Sequence, residues 1–308
     1  MANISTSVQP RISVPTRASI RLRKVLPYLL IAPSLAVFLV FDIWPIIYSF
    51  YLSFMKWNLL SPKKTFVGLD NYITIFTSEE FLKALWHTVV FTIGRVGGSL
   101  TFALLLALLL NTQKRWVSWV QASIFSPHVV SMVSISMLWL WLMDPNHGLL
   151  NYLLSLVGLP PSRWLAGVDT ALLSVIIVTV WKAIGYDMVI FLSGLQAIPE
   201  ELHEAAKIDG ANSFQRFWKI TFPLLSPTTF FLTVTSIIAS FQVFDSVRVM
   251  TGGGPVDATT VLVFYIYQHG FRFYKIGQAT AASTVLFLII LILTVLQFKY
   301  AEKKVHYD

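Results

Sequence analysis

Cysteine is absent from this 308-residue chain, which removes any disulfide framework and any thiolate chemistry. That absence fits a bacterial membrane protein. Charge is scarce as well: Asp, Glu, Lys and Arg make up 12% of the residues, against 56% hydrophobic ones. No GxxxxGK[ST] occurs, and Gly252-Gly253-Gly254 has no lysine behind it, so the chain lacks a phosphate-cradling loop. The GGG run reads as a tight turn. HExxH and GxSxG are missing too. The six histidines, His87, His128, His147, His203, His269 and His306, are too scattered to suggest a metal cluster. The expectation is a non-catalytic chain with no metal site.

Apolar sequence is what the chain has in abundance. A mean hydropathy of +0.68 lies far outside the soluble range, and long apolar stretches alternate with short polar ones. The pattern predicts an all-α polytopic membrane protein with about six transmembrane helices. The net charge of +8 raises a nucleic-acid partner, but the basic residues lie at segment ends and form no stripe with interleaved aromatics. No nucleic acid is expected; the partner surface is lipid.

Residues 1–24 hold five basic residues and no acid, and read as a disordered basic tail. The apolar run that follows is too long for the h-region of a cleaved signal peptide. Spans are predicted at about 26–54, 88–111, 122–143, 171–194, 228–250 and 279–298, within a transmembrane domain of 25–300. A short tail, 301–308, closes the chain. With six spans, thirteen Lys and Arg fall on the side of the termini and seven on the other. That excess predicts both termini, and the loop 195–227, on the cytoplasmic side. Trp57, Trp86, Trp116, Trp119 and Trp164 fall near predicted boundaries, as interfacial belts require.

The loop between spans four and five, PEELHEAAKIDGANSFQRFWKITFP from Pro199 to Pro223, predicts two short helices with a hinge. Pro199 suits a first helical position, and Glu200 and Glu201 favour the positive end of the macrodipole. Gly210 is placed to close the helix in a left-handed conformation. Leu202, Ala205, Ala206 and Asp209 share a mostly small face, open to close approach by another surface. Asn212 or Ser213 caps the second helix, with Phe214, Phe217 and Trp218 as anchors.

Glu204-Ala205-Ala206, three residues, Gly210, nine residues, Ile220 and then Pro223 resembles the EAA loop of permease subunits of binding-protein-dependent ABC importers. Asp209 and Ala211 match the DGA variant of the carbohydrate branch, the maltose and glycerol-3-phosphate type. Phe222 stands where the pattern usually has Leu. SGLQAIP (Ser193 to Pro199), FDSVRVMTGGGP (Phe244 to Pro255), PSL at Pro33 and VGLDNY at Val67 extend the resemblance. It implies a bacterial or archaeal cytoplasmic-membrane subunit whose loop, through Glu204, Ala205, Ala206, Asp209, Gly210, Ala211 and Pro223, couples to an ATPase. It also implies a second homologous permease, a cytoplasmic ATPase dimer carrying the ATP and Mg, and an extracytoplasmic binding protein that delivers a sugar. No cofactor is expected on this chain.

Charges inside spans need partners or water. Lys182 with Asp187, and Asp245 with Arg248, have spacings that suit pairing within the bundle. Alternatively they line a solute path with Trp181, Tyr186, Ser240 and Gln242, a mixture of aromatic faces and hydrogen-bonding groups that suits sugars. In maltose-type permeases a tyrosine placed as Tyr186 contributes to the sugar site, as does the stretch matching 239–245, which here holds no Asn. A rival reading is a secondary carrier energised by ions through Asp42, Asp187 or Asp245. It predicts inverted repeats, which are not evident, and leaves the Glu204–Pro223 pattern unexplained. A membrane-embedded transferase would need an acid or His cluster at one membrane face, and none is visible.

Overall fold

The computed structural model describes residues 17–112 and 114–304. The predicted N-terminal tail therefore falls outside the described residues up to 16, and from Arg17 the chain is already helical. Residues 305–308 of the C-terminal tail also fall outside.

Two compact units divide the chain, one through Tyr51 and one from Leu52. The first holds α1 (Arg17–Phe38), a π-helical turn at Leu39–Ile43 with Asp42, and most of α2 (Trp44–Ser53). None of its apolar span is buried, so side chains such as Leu30 and Phe41 stand outward all round the helix. A helix apolar on every face belongs in hydrocarbon. Trp44, Tyr48 and Tyr51 stack in series along it.

The second unit opens on a two-residue ladder, β1 (Met55–Lys56) with β2 (Thr65–Phe66), then α3 (Asp70–Thr77) and α4 (Glu79–Leu110). Asn71 locks this entry by donating to the Ser53 and Met55 carbonyls. The second span starts nine residues before the predicted position, because Ser78 ends α3 in an extended conformation and Glu79 and Glu80 favour the new helix N-terminus. Next come α5 (Arg115–Val129), α6 (Met132–Leu142), α7 (Leu149–Leu156) and α8 (Ala171–Gln196). Then follow α9 (Glu200–Ile208), α10 (Ser213–Arg216), α11 (Phe222–Leu224), α12 (Ser226–Phe241), α13 (Asp245–Met250), α14 (Leu262–Tyr267) and α15 (Ile276–Lys304).

Four helices are long and apolar enough to cross a membrane among the described residues, and two bent pairs bring the number to six. The third span is one such pair: α5 and α6 meet at 100°. Pro127 cannot donate to the preceding turn, where the Ser126 hydroxyl caps the Ser123 carbonyl instead. Ser131 then caps α6 by accepting from the Ser134 amide. The fifth span is the other, with a 61° bend where Ser213–Leu224 meets α12. It stops at Phe241, short of the predicted 250; three non-helical residues intervene before α13, which starts on Asp245.

α4 and α8 form the centre of the second unit. Gly94 and Gly98 lie against Ile176 and Val180, so tightly that an added Cβ would come within 3.1 Å of each. Small residues one turn apart let two membrane helices approach closely. Below them Ala103 and Ala107 receive Met188, Phe191 and Leu192, and Leu225 and Leu232 close the cluster. The GGGP segment is a tight turn as expected: Gly252 and Gly253 have positive φ, and Thr251 and Thr259 hydroxyls bond across it at 2.7 Å.

Candidate functional site

Two places bear on function, a polar cavity beside α8 and the loop that begins at α9. The cavity, about 270 Å³, is lined by Phe91 and Arg95 from α4, His128 and Met132 at the broken span, and Thr179, Lys182, Ala183, Tyr186 and Asp187 from α8. Gln242, Val243, Phe244, Asp245 and Ser246, where the fifth span ends, complete it with Ala239. Helix breaks at membrane depth leave polar backbone that must face protein or a cavity, and here the break between α5 and α6 and the non-helical stretch after α12 border the same space.

Gly185 sets the geometry of one wall. A Cβ there would collide with the Ile124 carbonyl oxygen and reach 2.7 Å from Phe125 Cα, so α5 rests directly on the α8 backbone. One residue on, Tyr186 stacks on His128 at 4.8 Å with planes 17° apart. Lys182 stands one turn back. Its ammonium donates to the carbonyls of Pro127, His128 and Val130 at 3.1, 2.9 and 2.7 Å. These carbonyls lose their helical partners at the break, and the lysine replaces them.

The pairings expected from spacing are replaced by others. Lys182 holds backbone carbonyls and does not pair with Asp187; five residues apart on a helix, the two point to different sides. Asp187 is buried beside Arg95 and Ser99. Arg95 donates to the Ser236 carbonyl at 2.6 Å and to Ser240 Oγ at 3.1 Å, tying α4 to α12. Arg248 lies over the Tyr267 ring at 5.0 Å and forms no close ion pair with Asp245. Such a cation–π contact satisfies a charge that lacks an acidic partner.

Of the residues expected on a solute path, Tyr186, Gln242 and Asp245 meet at the cavity. Ser240 does not line it; it is buried behind Arg95. Trp181 faces the other way, edge-on to Trp139 at 5.5 Å and among Leu106, Trp119 and Ile184. Sequence reasoning missed His128, whose signal was its place after Pro127 at the end of a helix. It also missed Phe91 and Thr179, which nothing in the chain distinguishes from ordinary span residues.

The loop is built largely as its residues predict. Pro199 takes the N-cap position, one place before the expected first helical position, and α9 has nine residues. Gly210 has φ +80°, the left-handed conformation that closes α9, and Ala211 N donates to the Ala206 carbonyl at 2.9 Å. Asn212 caps α10 in a reciprocal box with Gln215. No residue of α9 is buried, so the face of Glu204, Ala205 and Ala206 has no partner within the described chain. Phe214, 72% exposed, packs on Trp218, 50% exposed, which packs in turn on Phe222, as an open aromatic cluster and not as a buried anchor. Pro223 lies in the last helical turn before the 61° bend.

Comparison with known proteins places this architecture. Residues 84–307 match the family model described as binding-protein-dependent transport system inner membrane component. The sn-glycerol-3-phosphate transport system permease protein UgpA of Agrobacterium fabrum is 39% identical over 92% of this chain and 97% of its own length. The UgpA of Yersinia pestis is 36% identical over 92% and 96%. Among solved structures, a bacterial ABC transporter involved in import of the acidic polysaccharide alginate superposes with a TM-score of 0.82 at 26% identity, covering 94% of this chain and 99% of that one. A bacterial alginate ABC transporter in complex with alginate pentasaccharide-bound periplasmic protein gives 0.81 at 25% identity, covering 93% and 97%. The chain thus belongs to the binding-protein-dependent inner membrane transport components, and is a multi-pass membrane permease.

Proposed function

We propose that this chain is one transmembrane subunit of an ATP-driven importer for a sugar or sugar-like solute. Its relatives carry names of that kind, including permeases for sn-glycerol-3-phosphate and a transporter for alginate. The observation that carries the reading is the cavity itself: the break between α5 and α6, the end of α12, a stacked His128–Tyr186 pair, and Gln242 and Asp245 converge on one polar space inside the second unit. A second homologous permease completes the path, a periplasmic protein delivers the solute, and a cytoplasmic ATPase dimer holds ATP and Mg. This chain contributes no ATP site and no cofactor site. The exposed face of α9, with Asp209, Gly210 and Ala211 setting its exit, docks on that ATPase and converts nucleotide-driven closure into rocking of the spans. Both termini and the 195–227 loop lie in the cytoplasm.

The test is uptake by the complex reconstituted with its partner subunits. Uptake should require ATP and the binding protein and survive collapse of ion gradients. Uptake that persists without ATP and stops with an ionophore would establish the secondary-carrier reading instead.

A further inference from the structure

A second cavity, about 530 Å³, lies among Lys56, Trp57, Lys63 and Asp70, which follow the first span, and Tyr274 and Lys275, which precede the last. Its depth follows from those spans. Lys56 and Trp57 come directly after the first span ends at Ser53, and Tyr274 and Lys275 directly before the last begins at Ile276. Residues so near span ends sit at the level of the lipid headgroups. The base of the cavity is rigid. Asn71 donates to the Ser53 and Met55 carbonyls, the Ile276 amide donates to the Trp57 carbonyl at 3.1 Å, and Gly277 lies so near the Met55 carbonyl that no Cβ fits. The Trp57 indole is pinned by its bond to the Ser61 carbonyl and by Lys64, 4.7 Å above the ring.

Charge gathers here without compensation. Of the seven basic residues on the side opposite the termini, Lys56, Lys63 and Lys275 line this cavity and Lys64 adjoins it. None of the three lining lysines forms an ion pair among the described residues. Asp70 is the one acid in the wall, and Lys275 acts on Glu80 through the longer-range field of its charge. Like charges held together repel, so the cluster calls for an anion.

We propose that this cavity binds an anionic phospholipid of the leaflet facing away from the termini. The phosphate sits among the three ammoniums, and the acyl chains run along Phe66 and Ile73, apolar side chains that the same segment leaves exposed. A zwitterionic lipid would bring its own ammonium against the lysines. A free inorganic anion would answer the charge but leave Phe66 and Ile73 in water. An acidic protein surface would have to displace lipid from a position this close to two span ends. The site is separate from solute import and holds whichever solute the chain carries.

The experiment titrates the assembled complex in detergent with dioleoylphosphatidylglycerol and, separately, with dioleoylphosphatidylcholine, and counts bound lipid by native mass spectrometry. Wild type should hold more phosphatidylglycerol than phosphatidylcholine at equal concentration. A lysine beside an anionic lipid contributes about five-fold in affinity. Lys63→Gln should therefore weaken the tightest phosphatidylglycerol about five-fold, and the triple variant Lys56→Gln, Lys63→Gln, Lys275→Gln about a hundred-fold. The three Lys→Arg changes should retain it. Phosphatidylglycerol should raise the Tm of wild type and not that of the triple variant, while the two melt alike in phosphatidylcholine, which separates a lost site from a lost fold. If the triple variant does not fold, Lys63→Gln carries the test alone. Equal binding of the two lipids by wild type, or phosphatidylglycerol binding that survives the lysine changes, would overturn the inference. So would displacement of the lipid by inorganic phosphate, which would make this a free-anion site. Loss of binding-protein docking with lipid binding intact would make it a protein surface and overturn the inference equally.

Discussion

Lys182 on α8 places its ammonium 2.7 Å from the carbonyl oxygen of Val130, across the break between α5 and α6. Pro127 and His128 contribute two more carbonyls to the same ammonium. A proline-broken span inside a membrane needs a donor for each freed carbonyl, and one lysine supplies three. Lys182→Met should therefore lower thermal stability by about 2–3 kcal/mol, the scale of losing hydrogen bonds to a charged group. Lys182→Arg should retain most of it. Thermal unfolding of the purified complex checks both, and a Met variant as stable as wild type would leave the 100° break without its clasp.

His269 makes stability depend on pH. It is 4% exposed, stacks on Tyr265 at a centroid distance of 3.9 Å, and has Nδ1 3.2 Å from the Tyr265 carbonyl. Burial holds its pKa below the ordinary value of 6.5, and the Lys275 charge pushes the same way, against the carbonyl contact. The Glu80 carboxylate, 3.9 Å away, is beyond hydrogen-bond reach. The unfolded chain thus takes up the proton first as pH falls. Stability is fully present above about pH 6.5 and declines below it, with a slope of up to about 1.4 kcal/mol per pH unit. Melting temperatures between pH 7.5 and 5.5 should fall more for wild type than for His269→Gln; equal slopes would remove His269 as the cause.

The proposed topology rests on the basic residues, thirteen on the side of the termini against seven opposite. The cysteine-free chain lends itself to single-cysteine labelling. Leu60 and Val256 are 78% and 87% exposed, and Leu60→Cys and Val256→Cys should react with an impermeant reagent in intact cells. Ile208, 87% exposed and cytoplasmic in the proposed topology, should react as Ile208→Cys only after the membrane is opened. Gly253 is a poor position for such a probe, because a Cβ there would meet Phe264 at 2.5 Å. Labelling of Ile208→Cys from outside would invert the topology.

How far the sequence reveals all this varies with the range of the interaction that decides each feature. The α9–α10 loop was legible nearly residue by residue, since Gly210, Asn212 and Gln215 act through bonds to residues three to five positions away. Span number was legible from hydropathy, but the break at 130–131 was not. Pro127 marks the place, yet the 100° angle depends on Lys182, more than fifty residues on. The start of α4 was hidden because Glu79, Glu80, Lys83 and His87 interrupt the apolar pattern while the chain is still helical. In the cavity, Tyr186, Gln242 and Asp245 were legible by type. Arg95 and His128 join them only through tertiary contacts, and Trp181 points outward by a helical phase that composition does not reveal.

The prediction that bears most on mechanism concerns α9. Glu204 makes no ion pair or hydrogen bond among the described residues, and α9 buries nothing, so reversing that charge costs the chain itself little. At Gly210 nothing would lie within 4 Å of an added Cβ, and φ is +80°. The whole penalty of Gly210→Val is then conformational, about 1–2 kcal/mol for a left-handed residue, and more for a β-branched one. Both variants should insert at normal levels, with Glu204→Lys melting close to wild type and Gly210→Val somewhat below it. Against a docked ATPase the outcome differs. A partly desolvated charge lost at an interface costs about 2–5 kcal/mol, which is a ten-fold or greater loss of affinity. Glu204→Lys and Gly210→Val should therefore release the ATPase on co-purification and lower solute-stimulated ATP hydrolysis at least ten-fold. A chain that used α9 merely to connect two spans would show neither effect, so normal co-purification and stimulation in both variants would refute the docking role.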